Sequence, residues 1–367
     1  MTTTTRSHPR TRRALAAIAA VTAVAAAADA SASTVPDSTV PAGDEVAEPV
    51  PCEAEEGRIT IATGNSTGVY YVLGGGIADL ISDETPIRAT AAETGASVQN
   101  IEQLVAGDYD IAFSLADTAS DAVAGTASFD EPQPVQSLGR IHTNYTQVVV
   151  RNEAGIESIE DMAGHAVSTG SPNSGTEVIA GRLLEAAGLN IDDVDAQRLD
   201  LTATIDGMRD GSIDAFFWSG GLPTAAVTDL LSTNAGDVSF LDVTPLLPQM
   251  QEINEVYQEG VIPADAYDLD ADVPTIVVPN VLLVRDDFPA GNACAITNLI
   301  FTNVERLAEV HPAASSLDPS LALETGPIPL APGAEQALRE LAGDSYDAPG
   351  TAAENTSAGS TGETTEA

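Results

Sequence analysis

The sequence feature that most constrains the fold is residues 58–81, which read RITIATGNSTGVYYVLGGGIADLI. Ile59 and Ile61 alternate with polar neighbours, which is typical of a β-strand. A turn of Gly, Asn, Ser and Thr follows at residues 63–68, and apolar residues then recur at helical spacing. The stretch therefore predicts a strand, a glycine-rich turn and a helix. The first N–H groups of such a helix have no partner inside it and can bind an anion.

Similar junctions recur further along the chain. Polar turns follow predicted strands at residues 95–100 and 171–176, and smaller turns occupy residues 114–117 and 218–221. A single junction of this kind could be an ordinary βα connection. The prediction of a ligand-binding site therefore depends on the recurrence of the junction. Alternating strands and helices predict an α/β fold, in which ligands bind outside the carboxyl ends of the strands. We therefore expect several turns to meet at one ligand-binding cleft.

The residues of these turns are the candidate ligand contacts. Tyr70 and Trp218 are interpreted as aromatic walls of the cleft, with packing in the core as the alternative. Asp117 would repel an anion unless it orients a donor or binds a cation. The predicted ligand-binding residues are Thr63, Gly64, Gly68, Tyr70, Ser97, Asn100, Ser114, Asp117, Ser171, Ser174, Gly175, Thr176, Trp218 and Gly221.

The charge balance excludes several functions. Lys and Arg together number 14 against 55 Asp and Glu, the formal net charge is −41, and no Lys is present. Such a charge argues against nucleic acid or an anionic membrane as a partner, and it means that local donors must hold any anionic ligand. Without Lys there is no Walker loop. We predict no catalytic residues, no metal site and no cofactor.

The two ends of the chain are predicted to lie outside the folded part. Residues 1–32 combine four Arg, an apolar run at 14–28 and Ala30-Ser31-Ala32, which is typical of a secretory signal sequence. Residues 33–57 read as an acidic linker and residues 344–367 as a disordered tail. We therefore expect an extracytoplasmic protein that is periplasmic, secreted or associated with the cell surface.

Cys52 and Cys294 are the only cysteines. In an exported protein such a pair predicts one disulfide. The alternative is that Cys52 carries a lipid anchor, although Pro49-Val50-Pro51 before it lacks the usual small and aliphatic pattern.

Several ordered blocks resemble the TAXI family, whose members are extracytoplasmic solute receptors of TRAP (tripartite ATP-independent periplasmic) transporters. The resemblance covers about residues 58–339 and implies a type II periplasmic-binding-protein fold, with two α/β lobes joined by two hinge strands. Lobe 1 would contain residues 58–145 and 275–343, and lobe 2 residues 146–274. The blocks are TGNSTGVYYVLGGGIADL, ETGASVQNIEQLVAGDYDIAFSLAD, SPNSGTEVIAGRLLEAAGL, GSIDAFFWSGGLPTAAV and VIPADAY.

The resemblance also implies a ligand and a partner. The ligand would be a small organic acid such as glutamate or a related dicarboxylate, and the partner a membrane permease driven by an ion gradient. A monomer is expected. The chain departs from the family at His142, where an aromatic is common, and at Pro172-Asn173, which replace a more glycine-rich turn. A secreted enzyme on the same fold, or a receptor for an ABC importer or a sensor kinase, remain alternatives.

Overall fold

The computed structural model describes residues 49–343, so the predicted signal sequence, the first part of the linker and the predicted tail lie outside the described residues. The strands are β1 (Gly57–Ala62), β2 (Ile87–Ala92), β3 (Ile111–Leu115), β4 (Val135–Arg151), β5 (Ala166–Ser168), β6 (Asp195–Gln197), β7 (Ala215–Gly220), β8 (Val238–Phe240), β9 (Gln258–Ile262) and β10 (Val273–Arg285). The helices are α1 (Val69–Glu84), α2 (Ser97–Ala106), α3 (Ala116–Ala124), α4 (Gly175–Ala186), α5 (Leu201–Asp210), α6 (Ala225–Thr233), α7 (Leu247–Ile253), α8 (Ala264–Tyr267), α9 (Ala290–Thr302), α10 (Val304–Val310), α11 (Pro319–Ala322) and α12 (Pro332–Ala342).

Two long strands connect the two halves of one sheet. The strand order is β2-β1-β3-β10-β4-β7-β5-β6, with β8 paired to β4 and β9 paired to β10. β10 runs antiparallel to both β3 and β4, while β1 is parallel to β2 and β3, and β5 is parallel to β6 and β7. The fold is the α/β, two-lobed type II architecture that the resemblance implies.

The lobes follow from this topology. We call β1–β3 with α1–α3 and α9–α12 lobe 1, and β5–β9 with α4–α8 lobe 2. The central residue Tyr145 of β4 pairs with Val277 of β10 and with Gly220 of β7. The predicted lobe boundaries at 145/146 and 274/275 therefore fall inside the two long strands.

Helix α1 shows how the sequence produces the first lobe. Leu73, Ile77 and Leu80 recur at helical spacing and are fully or almost fully buried. Burying an aliphatic side chain of this size stabilises the fold by about 1.5–3 kcal/mol. Gly74 lets the helix approach β1 closely, because a Cβ at this position would lie 2.5 Å from Cγ2 of Thr63. Gly74 thus allows α1 to pack closely against the residue that follows β1.

Two elements differ in detail from what the sequence pattern predicts, which is a strand over residues 146–151 and a single helix over residues 292–310. β4 begins at Val135, well before the predicted start at 146, because its first half mixes polar and apolar residues without a clear period. The predicted single helix over 292–310 is two helices, broken at Asn303. The Asn303 amide donates to the Leu299 carbonyl, which places a side-chain donor where the helix would otherwise continue.

Ser174 and Glu177 have the S-x-x-E spacing that predicts a capping box, and the structure forms half of it. The Ser174 hydroxyl accepts from the Glu177 N–H at 3.0 Å, as the pattern predicts. The Glu177 carboxylate accepts from the Asn173 N–H instead of that of Ser174.

A disulfide joins the start of the described chain to helix α9. Cys52 and Cys294 are bonded, with Cα atoms 5.0 Å apart and a sequence separation of 242. Hydrogen bonds reinforce the attachment, since Glu55 N–H donates to Asn292 and Val50 N–H donates to Gln336. The last part of the predicted linker is therefore fastened to lobe 1.

Replacing both cysteines with Ser should lower the free energy of unfolding by about 3–5 kcal/mol, because the bond restricts a long loop of the unfolded chain. Urea unfolding of the oxidised protein, the reduced protein and the double variant provides the measurement. The reduced protein should match the variant, and equal stability of all three would contradict the prediction.

Candidate functional site

A cavity lies between the two lobes, at the carboxyl ends of β1, β3 and β7. It offers about 40 Å³ to the centres of water-sized molecules, whereas one water needs about 10–15 Å³ on this measure. The space therefore suits a few waters or one small solute. Its lining residues are Gly64, Asn65, Gly68, Val69, Tyr70, Gly95, Ala96, Ser97, Leu115 and Asn144 from the lobe 1 side, with Ser171, Ser174, Gly175, Thr176, Trp218, Ser219, Gly220 and Gly221 from the lobe 2 side.

Three helix N-termini meet at this cavity. Val69, Ser97 and Gly175 are the first residues of α1, α2 and α4, and all three line it. The first N–H groups of a helix have no carbonyl partner within the helix, and the helix dipole adds positive potential there. Three such ends from both lobes favour a negatively charged group in the cavity.

Three hydroxyl groups of residues that line the cavity are held in place by the backbone. The oxygens of Ser97, Ser174 and Thr176 each accept a backbone N–H, from Leu115 at 3.1 Å, Glu177 at 3.0 Å and Ser219 at 3.2 Å respectively. An accepted hydrogen bond occupies a lone pair of the hydroxyl and leaves its proton available. The hydroxyls therefore act as donors that the backbone holds in position.

The aromatic residues have different environments. Tyr70 is buried, and desolvation raises the pKa of its phenol, so the group stays protonated and donates to Asn280. Trp218 is partly buried, and its indole N–H donates to Thr224 at 3.0 Å. A Cβ on Gly68 would lie 3.4 Å from the Trp218 ring, so this lobe 2 side chain packs against lobe 1 across the cleft.

Most of the predicted contacts line the cavity. They are Gly64, Gly68, Tyr70, Ser97, Ser171, Ser174, Gly175, Thr176, Trp218 and Gly221.

Thr63, Asn100 and Ser114 are predicted to contact the ligand, but in the structure they do not line the cavity. Each is fully buried and hydrogen-bonded to main-chain carbonyls behind the site. Asn100 donates to the carbonyls of both Thr63 and Phe113, so it holds the ends of β1 and β3 together. These residues support the turns, because strand-end side chains alternate between the cleft and the core.

Asp117 is a further predicted contact that does not line the cavity, and its partner is on the other lobe. The carboxylate is fully buried and accepts from Arg182 at 3.0 Å and from the Tyr257 hydroxyl. Arg182 is 7% exposed and also pairs with Asp121 at 2.5 Å. Burial alone would lower the pKa of Arg182, but Tyr257 and the two carboxylates outweigh it and raise that pKa. We call Asp117, Asp121, Arg182 and Tyr257 the interlobe ion cluster.

Other hydrogen bonds also cross the cleft. Asn65 accepts from the Leu201 N–H at 2.9 Å and donates to the Ser171 hydroxyl at 3.3 Å. The Gln99 N–H donates to the Asn173 carbonyl at 3.0 Å. Together with the interlobe ion cluster, these contacts define a closed arrangement of the two lobes.

The sequence interpretation missed eight lining positions, seven of which lie in or directly beside the predicted turns. Only Asn144 lies away from the predicted turns, because it is in the middle of β4. Its amide donates to the Ser219 carbonyl at 3.1 Å. The remaining missed positions are Asn65, Val69, Gly95, Ala96, Leu115, Ser219 and Gly220.

His142 lies directly behind the cavity. Its ring makes an edge contact with Tyr70 at 6.1 Å between centroids, and neither ring nitrogen has a hydrogen-bond partner among the described residues. Desolvation, assisted by the nearby His311, lowers the pKa of His142 to about 3. The imidazole is therefore neutral at ordinary pH and packs as an aromatic ring.

Removing the cation of the interlobe ion cluster should be strongly destabilising. Arg182→Met leaves two buried carboxylates without a counter-charge, so we expect the free energy of unfolding to fall by about 3–5 kcal/mol. Arg306→Met is the control, since Arg306 pairs with Asp83 and Glu84 at the surface and exposed pairs contribute about 0–1 kcal/mol. Similar losses in the two variants, measured by urea unfolding, would contradict a special role for Arg182.

His142 should make stability depend on pH. Its folded pKa of about 3 lies below the ordinary value of 6.5, so between these values only the unfolded chain takes up this proton. The free energy of unfolding should then fall by about 1.4 kcal/mol per pH unit as the pH drops below 6.5. His142→Phe should remove this component and keep the aromatic contact. Denaturation at pH 7, 6, 5 and 4 tests this, and parallel curves for the two proteins would argue against it.

No helix within residues 49–343 has both the length and the apolar character required to cross a membrane. The His, Cys, Asp and Glu side chains of the same residues form no group that could hold a metal ion.

Similar solved structures include a protein from Bordetella bronchiseptica RB50, at 20% identity and a TM-score of 0.49, covering 79% of this chain and 91% of that one. The alkanesulfonate-binding protein SsuA from Xanthomonas axonopodis pv. citri, bound to MOPS, is 16% identical with a TM-score of 0.44 over 79% and 92% of the two chains. The GluR0 ligand-binding core with L-glutamate is 10% identical with a TM-score of 0.43 over 71% and 97%. The family model described as NMT1-like matches residues 61–341. The match covers most of the chain, and the protein therefore belongs to the NMT1-like family.

Proposed function

We propose that this protein is an extracytoplasmic solute receptor that captures a small organic anion, of the class of glutamate and related dicarboxylates, and delivers it to a TRAP-type membrane permease. The resemblance to the TAXI family supports the partner and the compartment. In this proposal the protein is a receptor that releases its ligand unchanged, and not an enzyme.

One observation carries the proposal: three helix N-termini and three backbone-oriented hydroxyls converge on one cavity between two lobes. Donors from both lobes must contact the same ligand, so binding favours the closed arrangement over the open one. This is the hinge-closure behaviour of binding proteins, in which the ligand stabilises one arrangement of the lobes.

The only tryptophan of the chain should report this closure. Trp218 packs against Gly68 across the cleft, so opening of the lobes would expose the ring to water. Adding ligand to protein that has been freed of bound solute by unfolding and refolding should change the Trp218 emission saturably, with about one ligand per chain. Calorimetry provides an independent measure of binding. A calorimetric signal without a change in emission would contradict the role of Trp218, and no binding across a broad panel of organic acids would contradict the proposed ligand class.

A substitution at Gly175 tests whether ligand binding requires closure of the two lobes. A Cβ at this position would lie 2.5 Å from Cδ1 of Leu115 and 2.7 Å from Oγ of Ser97, both on lobe 1. Gly175→Ala should therefore hold the lobes apart and weaken binding by more than tenfold. Gly181→Ala, in the same helix with open space around the position, should bind normally. Equal affinities in the two variants would show that closure is not required.

The partner and the alternatives need separate tests. Transport of the identified ligand into vesicles that contain a TRAP permease should require this protein, whereas stimulation of an ABC importer or a sensor kinase would assign a different partner. The ligand recovered after binding should be chemically unchanged. Conversion of the bound compound would instead support a secreted enzyme on the same fold.

A further inference from the structure

We infer that the site selects organic acids that carry a carboxylate but no ammonium group, so that 2-oxo and 2-hydroxy acids bind and the corresponding amino acids do not. This inference rests on the function proposed above and narrows its ligand class. It follows from the balance of hydrogen-bond donors and acceptors around the cavity.

The cavity contains no counter-charge for a cation. Among the described residues, none of those that line it is Asp, Glu, Arg or Lys. An ammonium group taken out of water needs a carboxylate or several good acceptors, because burial of an unpaired charge is very costly. A carboxylate instead needs hydrogen-bond donors and positive potential. The helix N-termini provide both, and the hydroxyls of Ser97, Ser174 and Thr176 provide further donors.

Several of the neutral acceptors around the cavity already accept one hydrogen bond from within the protein, which reduces what they can offer to an ammonium group. An ammonium group presents three donors, and main-chain carbonyls are the usual neutral acceptors. Around the cavity these carbonyls accept hydrogen bonds from within the protein at Gly64, Asn65, Ala96, Ser171, Ser219 and Gly221. The amide oxygens of Asn65 and Asn144 are likewise engaged, by Leu201 and Asn280 respectively.

Ser219 provides the remaining polar contact. It is 8% exposed and lines the cavity, and its hydroxyl has no hydrogen-bond partner in the described chain. A buried polar group without a partner is unusual and calls for an explanation, which a bound solute supplies. A hydroxyl both donates and accepts, so it matches a keto oxygen or a hydroxyl group of a ligand, but it can satisfy only one of the three N–H groups of an ammonium.

Calorimetry of the solute-free protein with matched pairs tests the inference. The pairs are 2-oxoglutarate with L-glutamate, and pyruvate and (S)-lactate with L-alanine, so that each comparison keeps the carbon skeleton. We expect at least one oxo or hydroxy acid to bind, and to bind more than tenfold tighter than its amino counterpart. An amino acid that binds as tightly would overturn this inference and leave the receptor function intact. Failure of every compound of both kinds would overturn the proposed organic-anion function, and the inference with it.

The substitution Ser219→Ala tests the contribution of the Ser219 hydroxyl to ligand binding. Removing a hydroxyl that has no protein partner should leave the melting temperature of the solute-free protein unchanged. It should weaken binding of the preferred oxo or hydroxy acid roughly tenfold to a hundredfold, as expected when a hydrogen bond to the ligand is lost. Ser232→Ala, an exposed position on the same lobe, is the control and should change neither quantity. Unchanged affinity in Ser219→Ala would overturn the assigned role of this hydroxyl.

Discussion

The closed arrangement of this protein depends on one buried guanidinium. Arg182 is the only cationic side chain among the described residues that is buried, and it meets two carboxylates and a phenol from opposite sides of the cleft. A buried charge is tolerated only when its partners are close and well oriented. The lobes must therefore return to one relative position to satisfy it, and that position also brings the turns of lobe 1 against the N-terminus of α4.

Because the buried Arg is used in this contact, the cavity has no cation of its own. Ligand recognition is left to neutral groups: helix N-termini, hydroxyls and an aromatic wall. Such dipoles are fixed by the fold and cost little to reorganise when a ligand arrives. This solution suits a chain of net charge −41, since a strongly acidic surface repels anions at long range and the donors must act at short range.

The close approach of backbone and side chains around the cleft is the second constraint on the structure. Gly175 and Gly220 lie where a Cβ would collide with Leu115 and with Trp218 respectively, and Gly68 lies in contact with the Trp218 ring. The small residues that the sequence places at strand ends therefore do more than permit turns. They let two lobes come together around a small solute, and they leave the backbone N–H groups accessible.

The sequence by itself determined the alternation of strands and helices, the turns at strand ends and most of the cavity lining, because hydrophobic period and turn chemistry are local properties. It also gave the pair of cysteines that the structure joins. Only the tertiary structure decided which turn residues face the ligand, placing Thr63, Asn100 and Ser114 behind the cavity. It alone paired Asp117 with Arg182, 65 residues later, and left the Ser219 hydroxyl without a partner among residues 49–343. These outcomes depend on how two lobes meet, and no local pattern in the chain encodes a contact between residues that only closure brings together.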